Sequence, residues 1–247
     1  VEASYEIDTL RLLTMAFGMY GSNDKNNSDG YTVMYKSNHE DIAYRYRTDN
    51  HGKGSWYSMN GNIDYQRTSR KNKERMITLS YKVNTQPQTN NSYNTYLDIF
   101  PDGQKDDLVE RLRLRNYHSD GKTNTMEQTF QVDYTTPVGK LHTIETGAKY
   151  IFRRNSSDNG FYEAAGGSDD YVYNESRSSE YRHLNHILSA YAGYTLKYKD
   201  FSFKPGVRYE QTIQRVKYIV GPGEDFHTNY SDLVPSVSLG MKIGKTQ

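Results

Sequence analysis

Between Met126 and Phe152 apolar and polar residues alternate one by one. Met126, Phe130, Val132 and Tyr134 fall on one face, and Glu127, Thr129, Gln131 and Asp133 on the other. After the connection Thr136-Pro137-Val138-Gly139-Lys140, Ile144, Ala148, Tyr150 and Phe152 oppose Thr143, Glu145 and Lys149. A period of two marks a β-strand, because successive side chains point to opposite faces. Pro and Gly in the connection suit a tight turn. The pattern predicts a hairpin with arms of about ten residues, the length a tilted strand needs to cross a bilayer.

The same unit recurs along the chain. Tyr5, Ile7, Leu13, Met15 and Phe17 predict a first strand over 5–19, although Arg11 interrupts its apolar face and Leu10 and Leu12 blur the parity. Tyr57, Met59, Ile63 and Tyr65 predict a second strand over about 55–67, and Ile77, Leu79, Tyr81 and Val83 a third. The hairpin above supplies the fourth and fifth. Leu188, Ala190, Ala192, Tyr194 and Leu196 mark a sixth strand. Phe203, Val207 and Tyr209 mark a seventh, with a bulge or a change of environment expected near Gln214, where the parity changes. Leu233, Val237, Leu239, Met241 and Ile243 mark an eighth, followed by a turn at Gly244-Lys245-Thr246-Gln247.

The connections alternate in length. Long ones are expected over about 21–54, 84–123 and 155–182, the first holding a small hairpin of its own from Tyr31–Tyr35 and Ile42–Tyr46. Between them come short turns at 69–74, 136–140 and Lys199-Asp200. Short turns at one end and long loops at the other belong to outer-membrane barrels. The predicted fold is therefore all-β: an antiparallel up-and-down meander of about eight long strands. It forms one segment over 1–247, part of (or a small) outer-membrane-type barrel. Periodicity leaves open which face looks inward. A soluble all-β module would bury the apolar side, whereas a membrane barrel turns it to lipid and keeps a wet interior. The many charged residues opposite the apolar ones favour the second arrangement, since buried unpaired charges are costly.

Composition narrows the functional classes. A formal net charge of +1 supplies no global field to gather nucleic acid or an acidic substrate. Cysteine is absent, which excludes disulfides, thiolate metal sites and a cysteine nucleophile. Mean hydropathy is −0.94, and no window approaches a transmembrane helix, which does not argue against membrane strands. Tyrosine is abundant, with 24 residues against one tryptophan, as suits both strands and lipid-headgroup belts. The first residue, Val1, has no basic-then-apolar leader before it. A removed signal or an excised piece of a longer protein is expected.

The runs Asn62 to Thr68, Glu145 to Tyr150, Pro205 to Glu210 and Tyr230 to Ser236 carry a family resemblance. At these runs, and over nearly its whole length, the chain resembles the barrel of Bacteroidetes TonB-dependent-receptor-like outer-membrane proteins. The resemblance implies a bacterial outer-membrane location and a receptor with a plug and a barrel of about 22 strands. It also implies a bilayer or lipopolysaccharide surround and a small nutrient ligand. A TonB-type energising complex would act only through parts not visible in this sequence, which departs from the pattern by showing no TonB box or plug. It reads as the middle third of a barrel, cut at two turns.

Candidate chemistry is sparse. Arg111-Leu112-Arg113-Leu114-Arg115 would align three guanidiniums on one face of a strand. They would either grip an anionic ligand or lipopolysaccharide phosphate or form a solvated, charge-protected hairpin. Trp56, with Tyr57 and Tyr65, offers rings either to a sugar or to an interfacial belt. His183 and His186 would fall on opposite faces of a strand, which does not suit a metal. Asp24 to Gly30 lacks the glycine and closing glutamate of a calcium loop and reads as a turn. The cluster Arg70, Lys71, Lys73 and Arg75 could touch nucleic acid or anionic headgroups, but its short turn and Glu74 favour plain solvation. No catalytic motif, cofactor motif or metal set stands out. An enzyme is not expected. Two functional readings remain: an outer-membrane receptor fragment binding or admitting a nutrient, and a soluble ligand- or carbohydrate-binding module.

Overall fold

The computed structural model describes residues 1–164 and 170–243. The strands are β1 (Glu2–Asp8), β2 (Arg11–Tyr35), β3 (Ile42–Thr68) and β4 (Met76–Phe100), followed by helix α1 (Lys105–Leu112). Then come β5 (Tyr117–Val138), β6 (His142–Ala164), β7 (Tyr171–Tyr173), β8 (Ser179–Tyr198), β9 (Phe201–Val220) and β10 (Phe226–Met241). Every pairing is antiparallel between neighbours, in the order β1-β2-β3-β4-β5-β6-β8-β9-β10, with β7 a short addition on β6. Eight of these strands are long, from 16 to 27 residues. Among the described residues the sheet is open, with β1 and β10 each paired on one side.

Cross-strand register turns the sequence alternation into continuous bands. Leu13, Tyr65, Leu79, Val132, Ala148, Ala190, Tyr209 and Leu233 lie in one row across all eight long strands. Met15, Ile63, Tyr81, Phe130, Tyr150 and Leu188 form the next row on the same face. The opposite face carries Asp64, Ser80, Gln131, Lys149, Ser189, Glu210 and Asp232. Exposure decides which face is outside. Phe130 and Leu188 are 47% and 48% exposed, whereas Ser189 and Thr212 on the polar face are 5% and 3% exposed. A soluble module would show the reverse, so its defining feature is missing. The polar face is the sheltered lumen, and the apolar face needs hydrocarbon. No described helix is long and apolar enough to cross a membrane; strands do the crossing.

Ion pairs and hydrogen bonds fill the lumen wall. Arg153 pairs with Glu127 at 2.5 Å, Arg208 with Glu210 at 2.6 Å, and Lys204 with Glu145. The Tyr191 hydroxyl donates to Asp133 and accepts from Gln131, and its ring lies over Gly147. A Cβ at Gly147 would lie 2.6 Å from the Val132 carbonyl oxygen, so glycine is needed there for close approach rather than for backbone freedom.

The expected long loops and the expected first strand require correction. The stretches 21–54 and 84–123, and the described part of 155–182, are largely strand, not loop. The β2–β3 hairpin runs unbroken to a turn at 36–41, so the small separate hairpin at Tyr31–Tyr46 is its tip, and Asp24 to Gly30 lie in β2. Their backbones join the ladder although both faces are wet, so apolar alternation is absent. The predicted first strand divides into β1 and β2 about a turn at Thr9-Leu10, where the parity blurs. At Gln214 the β8–β9 and β9–β10 registers continue without a bulge, which removes one of the two alternatives expected there. The turn expected at 244–247 lies outside the described residues.

Candidate ligand site at the outer mouth

Four short connections, at 9–10, 69–75, 139–141 and 199–200, share one end of the sheet. The other end bears two elaborated connections, β4 to β5 through α1 and β6 to β8 by way of β7, beside tighter turns at 36–41 and 221–225. By the rule of short periplasmic turns it is the outer end. There β4 stops at Pro101, which lacks a backbone donor, and the chain turns into α1. Asp106 and Asp107 in the first turn and Arg111 in the last complement the helix dipole. Arg113 closes the helix in the left-handed region at φ 54°, and the Leu114 amide bonds back to Val109 at 3.0 Å. Leu108, only 1% exposed, packs with Val109, Leu114 and Ile99 against Tyr44, Tyr46 and Tyr96. By register Tyr96 stands on the polar face with Asn94 and Asn50, so α1 folds inward over the lumen.

This placement corrects the expected arginine strand. Alternation of Leu and Arg at 111–115 resembles a strand, but the leucines instead supply the buried side of a helix end. Arg111 is exposed on α1. Arg113 and Arg115 leave it to line an open cavity of about 710 Å³, together with Glu110, Glu163, Asn174 and Arg177. Arg115 donates to Glu110 at 2.9 Å. Arg177 donates to Glu163 at 2.5 Å, and its guanidinium lies 3.7 Å above the Phe161 ring. Asn174 donates to Glu163 at 2.8 Å. Burial pushes the Glu163 carboxyl up, but the bonds from Asn174 and Arg177 and the charges of Arg177 and Arg115 outweigh it. The net shift is below the usual glutamate value. Among the described residues Arg113 makes no ion pair. The arrangement is a cationic recess with two carboxylates holding two of its arginines in place.

Trp56 also departs from expectation. It occupies an even position of β3, on the face of Ser58 and Asn60, opposite Tyr57 and Tyr65. It therefore does not join those tyrosines in a lipid belt. Its partner is Tyr20, edge-to-face at 5.7 Å, and the two rings stay 41% and 59% exposed on the lumen side. His183 and His186 fall on opposite faces of β8, and His186 Nδ1 meets the Tyr150 hydroxyl at 2.8 Å. Among the described residues no group of three or more His, Asp or Glu is placed to hold a metal ion.

A model of the outer membrane protein beta-barrel family matches residues 68–247. The chain belongs to that family. Solved structures with a related course of strands include the unliganded ferric citrate transporter FecA. It shows 12% identity and a TM-score of 0.39, covering 98% of this chain and 41% of that one. The ferric yersiniabactin uptake receptor FyuA from Yersinia pestis gives 12% and 0.36, covering 98% and 44%. The alcaligin receptor FauA from Bordetella pertussis gives 12% and 0.38, covering 95% and 41%. Similarity at that level bears on neither ligand nor mechanism. The chain spans less than half the length of each of these proteins. Comparison with curated proteins gives no match.

Membership of an outer-membrane barrel family agrees with the exposed apolar bands and places the strands in the outer membrane. Arg177, Glu163 and Asn174 were not singled out from the sequence, because they join Arg113 and Arg115 only through strand register and an inward-folded helix. A local signal did exist. Asn174 precedes a short 3-10 turn and its side chain accepts from the Arg177 amide at 3.2 Å, as an Asx cap does.

Proposed function

We propose that this chain supplies part of the wall and outer mouth of an outer-membrane receptor that captures a small anionic nutrient. The observation that carries the reading is the grouping of Arg113, Arg115 and Arg177 around one open cavity on the lumen side. Arginine presents a planar fork of donors that matches carboxylate or phosphate oxygens. Glu110 and Glu163 keep Arg115 and Arg177 oriented, while Arg113 is free to close on an incoming anion. Tyr20 and Trp56 stand on the same lumen face but six residues further down β3 than the row of Glu163, roughly 20 Å at strand rise, so they are a separate aromatic surface below the recess. Onward passage past a plug moved by a TonB-type complex rests on the resemblance to TonB-dependent receptors and requires parts beyond these residues.

The test is calorimetry in detergent micelles with citrate and inorganic phosphate as probes. Replacing Arg113 and Arg177 with Gln is expected to weaken binding of at least one probe by about tenfold or more, or about 1.4 kcal/mol. Unchanged affinity for both probes would remove the arginine mouth from the capture step.

A further inference from the structure

At the short-turn end a second arginine cluster faces the opposite way. Arg11 and Arg67 are direct cross-strand partners on the apolar face, one step beyond the row that holds Leu13, Tyr65 and Leu79. Like charges directly opposite each other destabilise a strand pair unless something neutralises them. Asp8 answers only one of the two, at 2.6 Å from Arg11. Arg67 continues into Ile77 and Tyr134 along the same row. The turn after β3 adds Arg70 and Arg75, and it is built rather than loose: Ser69 N bonds Arg75 O at 2.9 Å, and Arg75 Nε bonds Thr136 Oγ1 at 3.0 Å. Thr68 N bonds Leu10 O at 2.8 Å, which ties this turn to the β1–β2 turn. Together these residues line an open cavity of about 590 Å³, walled on its apolar side by Leu10, Met76, Ile77 and Tyr134. Among the described residues Arg67 and Arg70 make no ion pair.

In the adjoining rows lies an apolar groove of about 740 Å³, whose hollow is three to four strands round the sheet from Arg67. Small residues at Ala148 and Ala190 leave a hollow among Tyr65, Leu79, Tyr150 and Tyr209. Arg67, Ile77 and Tyr134 of the first cavity stand one row from Tyr65, Leu79 and Val132 of the second, on one face. We infer that the two cavities form a single site for an anionic phospholipid of the leaflet at the short-turn end. The headgroup phosphate is held by Arg67, Arg70 and Arg75, and an acyl chain lies along the Ala148–Ala190 hollow. Arginine fits phosphate bidentately, and tyrosines such as Tyr134 favour the headgroup level. The adjacency of the groove selects a lipid over free phosphate, because phosphate alone would leave the hollow unused.

The experiment is native mass spectrometry of the chain released from micelles containing phosphatidylglycerol, phosphatidylcholine or neither, with inorganic phosphate as competitor. The chain is expected to retain phosphatidylglycerol at least about tenfold better than phosphatidylcholine. The variant R67Q/R70Q/R75Q is expected to lose that preference. Ala148→Trp, which fills the hollow, is expected to weaken retention of either lipid. Equal retention of both lipids by the unmodified chain would overturn the site, as would an unchanged preference in the triple variant. Displacement of the lipid by phosphate at equal concentration would overturn the assignment to phospholipid. Should the triple variant fail to fold by circular dichroism, Arg70→Gln alone, at an exposed turn position, is expected to reduce the preference; an unchanged ratio there overturns the proposal.

Discussion

The lower and upper halves of this sheet share one backbone ladder and differ in almost everything their side chains do. In the lower half, the rows through Leu79 and Tyr81 present apolar groups on one face and hydrogen-bonding groups on the other. In the upper half both faces are polar, as at Ser55 and Thr89, whose hydroxyls meet at 2.6 Å on the outer side. Order there comes from local devices. The rings of Tyr93 and His118 stack at 4.2 Å, those of His118 and Tyr162 at 5.4 Å, and α1 brings a small apolar core. Alternation is therefore a consequence of having hydrocarbon on one side. Strand formation needs only the ladder, whose backbone groups are satisfied wherever it runs.

The sharpest way to break this contrast is to remove the upper half's core. Leu108→Ala should cost about 2–5 kcal/mol locally. Hydrogen exchange should rise in α1 and the ends of β3 and β4 while the rows at Tyr81 and Phe130 stay protected. Loss of protection throughout would mean that the halves are one cooperative unit. Next, the same charge placed on the same outer face should be felt very differently at two heights. Leu188→Arg should destabilise the protein in liposomes by about 2–4 kcal/mol, whereas Thr89→Arg should stay within about 0.5 kcal/mol, both read by denaturant unfolding. Equal effects would erase the assigned hydrocarbon boundary.

Within the lower half, Gly147→Val should cost about 1–3 kcal/mol by driving the Tyr191 ring from its seat. Pairing it with Tyr191→Ala should recover part of the loss. The smallest effect concerns pH. The folded Glu163 carboxyl titrates below its unfolded value, so its contribution is complete above about pH 4.3 and disappears as pH falls through the folded value. Acidification below that point should loosen the Asn174–Ser178 turn by at most about 1 kcal/mol, seen as faster exchange of the Ser178 amide. Glu163→Gln should remove the pH dependence.

The lower half was legible in the sequence for a physical reason. Residues such as Phe130 and Val132, or Leu188 and Ala190, repeat with period two because each must face lipid. The turns at Lys199-Asp200 and around Gly139 were equally plain. The upper half was not legible, since a strand wet on both sides has the composition of a loop; Asn84 to Asn94 illustrate it. Trp56 was assigned to the wrong company because neighbours in sequence are opposites in a strand. The arginines at 113 and 115 were noticed, but their helix was missed. Leu108, Leu112 and Leu114 pack at the end of a helix of only 8 residues, too short for its period to stand out from a period of two.

The length of the strands has a consequence for how solutes arrive. β2 alone has 25 residues, roughly 80 Å of extended chain and about 60 Å of height at the usual tilt. Hydrocarbon accounts for about 25 Å of that. The remainder stands clear of the membrane as a tall curved wall, and the Arg113 recess lies near its upper edge. A molecule in the surrounding medium therefore meets charge well before it draws level with any lipid.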